Sequence, residues 1–180
     1  ISYNGWVGWD GDITGSDSNA GDIIFKRVGI DYNGCGEDSG GNPVGCWSQT
    51  AGGYGDGLGT GNTAGNWIFE DSTFLYNTSD GLDLLYHRLG GTITIKRTRA
   101  EGNAGQQIKT AGSSIALTNN VIVGNCGYFD GQSFEHDVDE CRAAGTALAV
   151  TGTTSSNSIT MYNNSLYGEG DCIMTADNYP

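Results

Sequence analysis

Five segments of the chain repeat one pattern of alternating apolar and polar residues, and the repeat predicts an all-β fold, a parallel β-helix of about five coils. The first apolar residue of each copy falls at positions 23, 67, 93, 115 and 159, so the steps between copies are 44, 26, 22 and 44. These steps are explained by a repeat unit of 22 to 26 residues if the first and fourth copies each carry one inserted loop. Strands and turns that recur at such a period are typical of a solenoid, and the alternation is that of a half-buried strand.

Three apolar columns hold through all five segments without gaps. The first column consists of Ile23, Trp67, Ile93, Ile115 and Ile159. The second column, two residues on, consists of Phe25, Phe69, Ile95, Leu117 and Met161. The third column, five residues further on, consists of Ile30, Phe74, Ala100, Ile122 and Leu166. A leucine-rich repeat needs a different leucine spacing, and a sandwich needs hairpin turns at much shorter intervals, so neither alternative explains these columns.

An asparagine column and a second strand complete the repeat. Asparagine follows the third apolar column at Asn33, Asn77, Asn103 and Asn125, whereas the fifth segment has Glu169 there. Because asparagine tolerates the left-handed conformation of a tight bend, we expect these residues to form the bends and to hydrogen-bond from coil to coil. The strand after each bend is expected to point inward at Leu58, Leu82, Ile108, Leu148 and Ile173.

Composition and charge limit the class of protein. The chain has 31 Gly but only 2 Pro in 180 residues, which favours turns and strands, and it contains no apolar run long enough for a membrane span. Its net charge of −13 excludes nucleic acid as an expected partner, because phosphate binding needs a basic face. We expect one domain, residues 1–180, that is a fragment of a longer chain since it opens without methionine.

The cysteines predict two disulfide-closed loop insertions, 34–53 and 126–145. Cys35 and Cys46 bracket one polar loop, and Cys126 and Cys141 bracket the other. Local pairs of this kind are typical of exported proteins, so we expect a secreted, extracellular protein. Cys172 is left over, either as a buried thiol or paired outside this chain.

The triplet Asp-Gly-Leu occurs twice, at positions 56–58 and 80–82, and the repeat places Asp56 and Asp80 in one column. Residues in one column of a β-helix lie one strand spacing apart, about 4.8 Å. Asp83 follows on the outward face, because Leu82 and Leu84 are expected to point inward. Two like charges about 5 Å apart repel by about 3 kcal/mol at an effective dielectric near 20. Such a cluster raises a pKa or holds a cation, and oxygen ligands suit calcium; aspartates that only cap turns before glycine remain the alternative.

Lysine and arginine residues are concentrated next to this cluster. The column of Asp83 continues into Lys109, which forms either a salt bridge or, beside a metal, a catalytic base. Five of the eight basic residues fall between positions 88 and 109, namely Arg88, Lys96, Arg97, Arg99 and Lys109. This concentration suggests an anionic ligand, although charges along a solvated strand edge would give the same pattern.

The run SDGLDLLYHRLGGTITIKRTRAEGNAGQQIKTAG, from Ser79 to Gly112, resembles the core of the polysaccharide lyase family 9 pectate lyases. The resemblance extends from Tyr54 to Gly112, with serine in place of the first of two consecutive aspartates. More loosely, the chain is similar to secreted bacterial right-handed β-helix proteins. The resemblance implies a right-handed β-helix, calcium as cofactor and an acidic polysaccharide as partner.

The same resemblance implies a role for each candidate residue. Asp56, Asp80 and Asp83 would be metal ligands, and Lys109 would take the proton next to the uronate carboxylate in a β-elimination. Neighbouring uronates would bind to substrate-binding cations, for which the sequence offers Arg88, Arg99 and Lys96.

Two other functions stay open. A structural or adhesive β-helix would stack end to end into rods or filaments, with the aspartate column serving its architecture. A glycosidase that uses Asp80 and Asp83 is the third reading, but no separate carboxyl group that would serve as the acid is evident.

An acidic stretch from Trp9 has aspartates at Asp10 and Asp12 with EF-hand-like spacing, but Gly21 stands where a bidentate Glu belongs, so a turn is expected there.

Overall fold

A computed structural model describes residues 1–5, 7–11, 21–34, 55–111, 114–125, 146–151, 158–169 and 172–177. This part of the chain folds into short strands and contains no helix. The strands are β1 (Trp9–Gly11), β2 (Asp22–Lys26), β3 (Leu58–Thr60), β4 (Gly65–Glu70), β5 (Thr73–Leu75), β6 (Leu82–Leu84), β7 (Gly91–Lys96), β8 (Arg99–Glu101), β9 (Ile108–Ala111), β10 (Ser114–Thr118), β11 (Val121–Gly124), β12 (Leu148–Thr151), β13 (Ile159–Tyr162), β14 (Ser165–Gly168) and β15 (Met174–Asp177). Consistent with this, no helix in the described ranges is long and apolar enough to span a membrane.

The strands form three sheets in which neighbours run parallel. The first sheet has the order β1-β3-β6-β9-β12-β15, the second β2-β4-β7-β10-β13 and the third β5-β8-β11-β14. From β3 onward, consecutive strands belong to the first, second and third sheets in turn, and the chain then returns to the first. This arrangement is that of a β-solenoid and is compatible with a parallel β-helix. The handedness and the number of coils stay predictions.

The register of the sheets reproduces the three apolar columns. Trp67 of β4 pairs with Ile23 on one side and Ile93 on the other, and Phe69 pairs with Phe25 and Ile95. The third column is likewise continuous through its described members, because Ala100 pairs with both Phe74 and Ile122. Side chains of one column therefore stack inside the solenoid, where most of them are fully buried. Their aromatic members stack directly, with the Phe25 and Phe69 ring centroids 5.1 Å apart.

The inward column of the first sheet is confirmed up to its last member. Leu82 pairs with Leu58 and Ile108, and Ile108 pairs with Leu148. The expected Ile173 is wrong by one residue, because Leu148 pairs with Met174. Ile173 precedes β15 and Met174 begins it, and both side chains are about half exposed. Since neither is buried, the apolar pattern of the sequence does not show which of the two belongs to the column.

Three of the four predicted asparagines form a buried ladder that links the strands. Asn33 donates from Nδ2 to Oδ1 of Asn77 at 2.9 Å, and Asn77 donates in the same way to Asn103 at 2.8 Å. Asn125 does not continue this ladder: Asn103 donates to Oε1 of Gln107 at 2.8 Å. The Oδ1 atom of Asn125 is buried and has no hydrogen-bond partner among the described residues.

The expected backbone role of these asparagines is wrong. The positive φ angles at this corner belong to the preceding residues, Tyr32 at 59°, Tyr76 at 55° and Gly102 at 67°. The tyrosine rings stack on each other with centroids 5.2 Å apart. The residue before each asparagine therefore adopts the left-handed conformation of the bend, and the asparagine itself forms the hydrogen bonds of the ladder.

The predicted loop insertions, 34–53 and 126–145, lie outside the described residues except for Gly34. The same is true of four cysteines, Cys35, Cys46, Cys126 and Cys141, so both predicted disulfides stay predictions. Cys172 is described: it is exposed, which corrects the buried-thiol reading, and it forms no disulfide with any residue of the described ranges.

Candidate functional site

The Asp-Gly-Leu triplets recur because each of their positions has a fixed task in the stack. Leu58 and Leu82 are fully buried in the core. A Cβ on Gly81 would lie 2.5 Å from the carbonyl oxygen of Gln107 and 2.6 Å from Nδ2 of Asn103. Gly57 is equally confined, by the carbonyl of Gly81 and by the asparagine ladder. Only glycine fits between the aspartate and the leucine, since nothing there has room to move.

Each aspartate of the column binds the backbone of the next strand. Oδ1 of Asp56 accepts a hydrogen bond from the N–H of Asp80 at 2.9 Å, and Oδ1 of Asp80 accepts one from the N–H of Gln106 at 2.7 Å. Asp56 and Asp80 therefore lie next to each other on successive turns of the solenoid, as predicted. One oxygen of each carboxylate is used by the architecture.

The first sheet brings Asp83 and Lys109 to the same place. Gly59, Asp83 and Lys109 are register partners on the adjacent strands β3, β6 and β9. Nζ of Lys109 donates to Oδ2 of Asp80 at 3.0 Å and to Oδ2 of Asp83 at 3.3 Å. A Cβ on Gly59 would approach Oδ2 of Asp56 to 3.2 Å, so the missing side chain leaves space beside that oxygen.

The three aspartates, which we call the carboxylate cluster, have the geometry of a cation site. One oxygen from each of Asp56, Asp80 and Asp83 lies within 4.8 Å of the other two. Ligand oxygens at the calcium distance of about 2.3–2.6 Å are at most about 5 Å apart, so the three can surround one ion. The residues are 4%, 0% and 9% exposed. Among the described residues, the ion pairs of the cluster are those of Lys109 with Asp80 and Asp83, so three carboxylates share one ammonium and a further cation would neutralise the excess negative charge.

The electrostatics of the cluster follow from burial and from like charges. Burial, together with the charges of Asp80 and Asp83, raises the pKa of the Asp56 carboxyl well above its usual value. Burial and the charge of Asp80 raise the pKa of Asp83 from 3.8 to about 6. Burial lowers the pKa of Lys109, but the charges and hydrogen bonds of Asp80 and Asp83 outweigh it, so this pKa lies above its usual value.

These shifts predict a pH dependence of stability in the absence of divalent cations. Because the folded pKa of Asp83 exceeds the unfolded value, its proton stabilises the fold fully below about pH 4, and this contribution is lost as the pH rises through about 6. With EDTA present, raising the pH from about 4 to about 7 should cost the wild type roughly 1–3 kcal/mol more than Asp83→Asn. Denaturant unfolding of both proteins across this range measures the difference, and parallel curves would contradict the shift.

The structure places the three predicted substrate-binding cations on different parts of the surface. Arg88 follows β6 in the turn next to the first sheet, where its guanidinium lies 5.3 Å from the ring centroid of Tyr86. Lys96 ends β7 of the second sheet and pairs with Glu70. Arg99 begins β8 of the third sheet and pairs with Glu101. Only Arg88 is adjacent to the strand that carries Asp83.

Three features of the site were not predicted. Ser79 is fully buried and its side chain hydrogen-bonds Asp56, so the residue that departs from the lyase pattern supports the cluster. Gly59 provides the gap in the row of Asp83 and Lys109. Asp10 of β1 continues that row, because it pairs with Gly59 of β3. Aligning the repeats would have placed Gly59 and Asp10 in the row of Asp83 and Lys109. The contact of Ser79 with Asp56 could not be predicted in this way, because it depends on the backbone conformation of the bend.

The comparisons with known proteins assign no family to this chain. No protein-family model, no curated protein and no solved structure matches it.

Proposed function

We propose that the chain is a right-handed parallel β-helix that acts outside the cell as a calcium-dependent lyase of uronate-containing polysaccharide. One observation carries the proposal: three buried carboxylates from two successive turns of the solenoid form a cluster, and two of them, Asp80 and Asp83, pair with the ammonium group of Lys109. A cation site beside a candidate base is the pair of groups that β-elimination on a uronate requires. The resemblance of Ser79 to Gly112 to pectate lyases supports the same assignment.

Asp56, Asp80 and Asp83 would hold the ion. Their donor set of carboxylate oxygens is the one that calcium prefers, and the burial of the cluster adds to its need for positive charge. Bound there, calcium would neutralise the uronate carboxylate and acidify the proton next to it.

Lys109 has the task of taking that proton on Nζ. As long as the ammonium is hydrogen-bonded to Asp80 and Asp83, both carboxylates help it to keep its own proton. The base role therefore requires that another cation neutralises these carboxylates, which couples calcium binding to the reactivity of Lys109. When Nζ takes the proton from C5, the electron pair forms the C4–C5 double bond, and the glycosidic oxygen leaves from C4.

Arg88 is the cation that we assign to a neighbouring uronate. Its side chain is exposed, and Nε donates to the carbonyl of Leu85 at 2.9 Å, which fixes the guanidinium beside the first sheet. Guanidinium groups bind carboxylates in a bidentate manner, as this role requires.

The test is an assay for the unsaturated product on polygalacturonate and alginate with calcium. We expect ultraviolet absorbance to grow with the wild type, to vanish with EDTA and to vanish with Lys109→Ala. Lys109→Arg is the matched control for folding, because it keeps a cation between the carboxylates but cannot accept a proton at neutral pH. Product formation by Lys109→Arg at the wild-type rate would refute the base role, and no product with any uronate polymer would refute the lyase.

A structural or adhesive β-helix is the second candidate, favoured by the hydrogen bonds of the aspartate column. One oxygen of Asp56 and one of Asp80 bind the backbone of the next strand, as architectural residues would. This function predicts end-to-end rods in particle images and an unfolding temperature that EDTA leaves unchanged.

A further inference from the structure

A strip of basic residues lies on another edge of the solenoid, where the second sheet turns toward the third. Lys26 ends β2 of the second sheet and Arg27 follows it in the turn, and Lys96 and Arg97 occupy the same positions two strands away, at the end of β7. Glu70 and Asp71 stand between the two pairs. We call these six residues the basic edge. Their net charge is +2 in a chain whose total is −13, so this edge is a local reversal of sign.

Both acidic residues of the basic edge already form ion pairs with its basic side chains. Glu70 contacts Lys26 at 3.2 Å and Lys96 at 2.5 Å, and a third cation, Arg97, lies 3.7 Å away. Arg97 also forms a two-pronged pair with Asp71, at 2.6 and 3.0 Å. Arg27 is exposed and makes no ion pair within the described residues. Positive charge therefore remains for an external anion.

The turns that follow the five strands of the second sheet form one row, which begins at the basic edge and continues beyond it. The turn residues Arg27, Asp71, Arg97, Asn119 and Asn163 all have φ between 49° and 57°, so each turn presents the same backbone geometry. Their five strands span about 19 Å at a spacing of about 4.8 Å. Charges held at a regular spacing on a straight line match a chain-like anion better than a small one.

The rest of the edge is suited to sugar. The row of Lys96 continues through Thr118 to Tyr162, whose side chain is 64% exposed. Beside it, Asn119 and Asn163 are exposed at the turns. Aromatic rings with hydroxyl and amide groups bind sugar rings by stacking and hydrogen bonding. Nucleic acid is disfavoured because its dense phosphates would face a chain of large net negative charge.

We propose that the basic edge binds an acidic polysaccharide along the solenoid axis, separately from the carboxylate cluster. The polymer class rests on the proposed function. The edge would hold the chain by charge, at Lys26, Arg27 and Lys96, and by sugar contacts at Tyr162. A secreted enzyme with such an edge stays on its polymer while the cluster acts on another stretch.

The experiment is electrophoresis in native gels that contain polygalacturonate and EDTA, so that the cation site plays no part. The wild type should be retarded, and a gel with neutral dextran should leave its mobility unchanged. Lys26→Gln combined with Arg27→Gln should weaken the apparent affinity by about fivefold, as two exposed charge contacts would. Glu70→Gln should strengthen it, since an acidic group leaves the edge.

Asp22→Asn is the matched control for Glu70→Gln, because it changes the net charge equally. Asp22 is exposed at the other end of β2 and accepts a hydrogen bond from Asn66 that asparagine can retain. The proposal is overturned if the wild type is not retarded, if Asp22→Asn acts like Glu70→Gln, or if the double variant binds like the wild type. Stronger retardation by single-stranded RNA of equal charge overturns the ligand class. Retardation without lyase activity leaves the edge standing and refutes only the proposed reaction.

Discussion

Replacing Asn77 with alanine is expected to destabilise the protein by about 4 kcal/mol. Asn77 is fully buried and its amide forms four hydrogen bonds. Oδ1 accepts from N and Nδ2 of Asn33 at 3.0 and 2.9 Å, and Nδ2 donates to Oδ1 of Asn103 and to the carbonyl of Ile30. Alanine would leave these groups buried without partners. Denaturant unfolding monitored by circular dichroism measures the loss.

Asn4→Ala is the matched control, because Asn4 stands at the end of the same ladder. It is exposed, and its amide group makes a single ladder contact, to Oδ1 of Asn33 at 2.8 Å. Its loss should cost less than about 1 kcal/mol. Equal effects of the two substitutions would show that the ladder does not hold the strands together.

Lys109→Met should destabilise the protein by about 3–5 kcal/mol at neutral pH in EDTA, because the buried carboxylates of Asp80 and Asp83 would lose the ammonium that pairs with both of them. Methionine fills a similar volume, so packing changes little. Adding calcium at about a hundred times its dissociation constant should restore about 2.7 kcal/mol. Thermal and denaturant unfolding with and without calcium give both quantities.

Two controls separate charge from packing in this experiment. Lys96→Met removes a half-exposed lysine that pairs with Glu70, and its cost should stay below about 1 kcal/mol. Combining Lys109→Met with Asp83→Asn removes one carboxylate of the cluster and should recover part of the loss. If Lys109→Met were as stable as the wild type in EDTA, the cluster would not carry the charge that the account assigns to it.

The fold was largely predictable because a solenoid converts sequence columns into contacts. Trp67 and Ile93 are register partners for the simple reason that both occupy one position of the repeat. The misses arose where a side chain or a backbone angle departed from its column. The long amide of Gln107 reaches back four residues and takes the place expected for Asn125. The left-handed angles fell on tyrosines, whose residue type does not indicate them.

The carboxylate cluster was predictable from the same columns, whereas the distribution of cations was not. Asp56 and Asp80 were expected as vertical neighbours and are so. The basic residues after His87 were grouped by their nearness in sequence, but the strands carry Lys96 and Arg99 to other sheets. Reading Lys96 down its column to Glu70 and Lys26 would have revealed the basic edge. Whether the cluster binds an ion depends on a balance of burial and charge that the alignment does not contain.

Calorimetric titration of calcium into the metal-free protein tests the central claim most directly. The account predicts one ion per chain, and an affinity at least about tenfold weaker in Asp83→Asn, in which one charged ligand is lost. Asp22→Asn, which removes an equal charge from the exposed end of β2, should bind calcium like the wild type. Absence of binding heat, or equal affinity in Asp83→Asn and the wild type, would contradict a cation site between Asp56, Asp80 and Asp83.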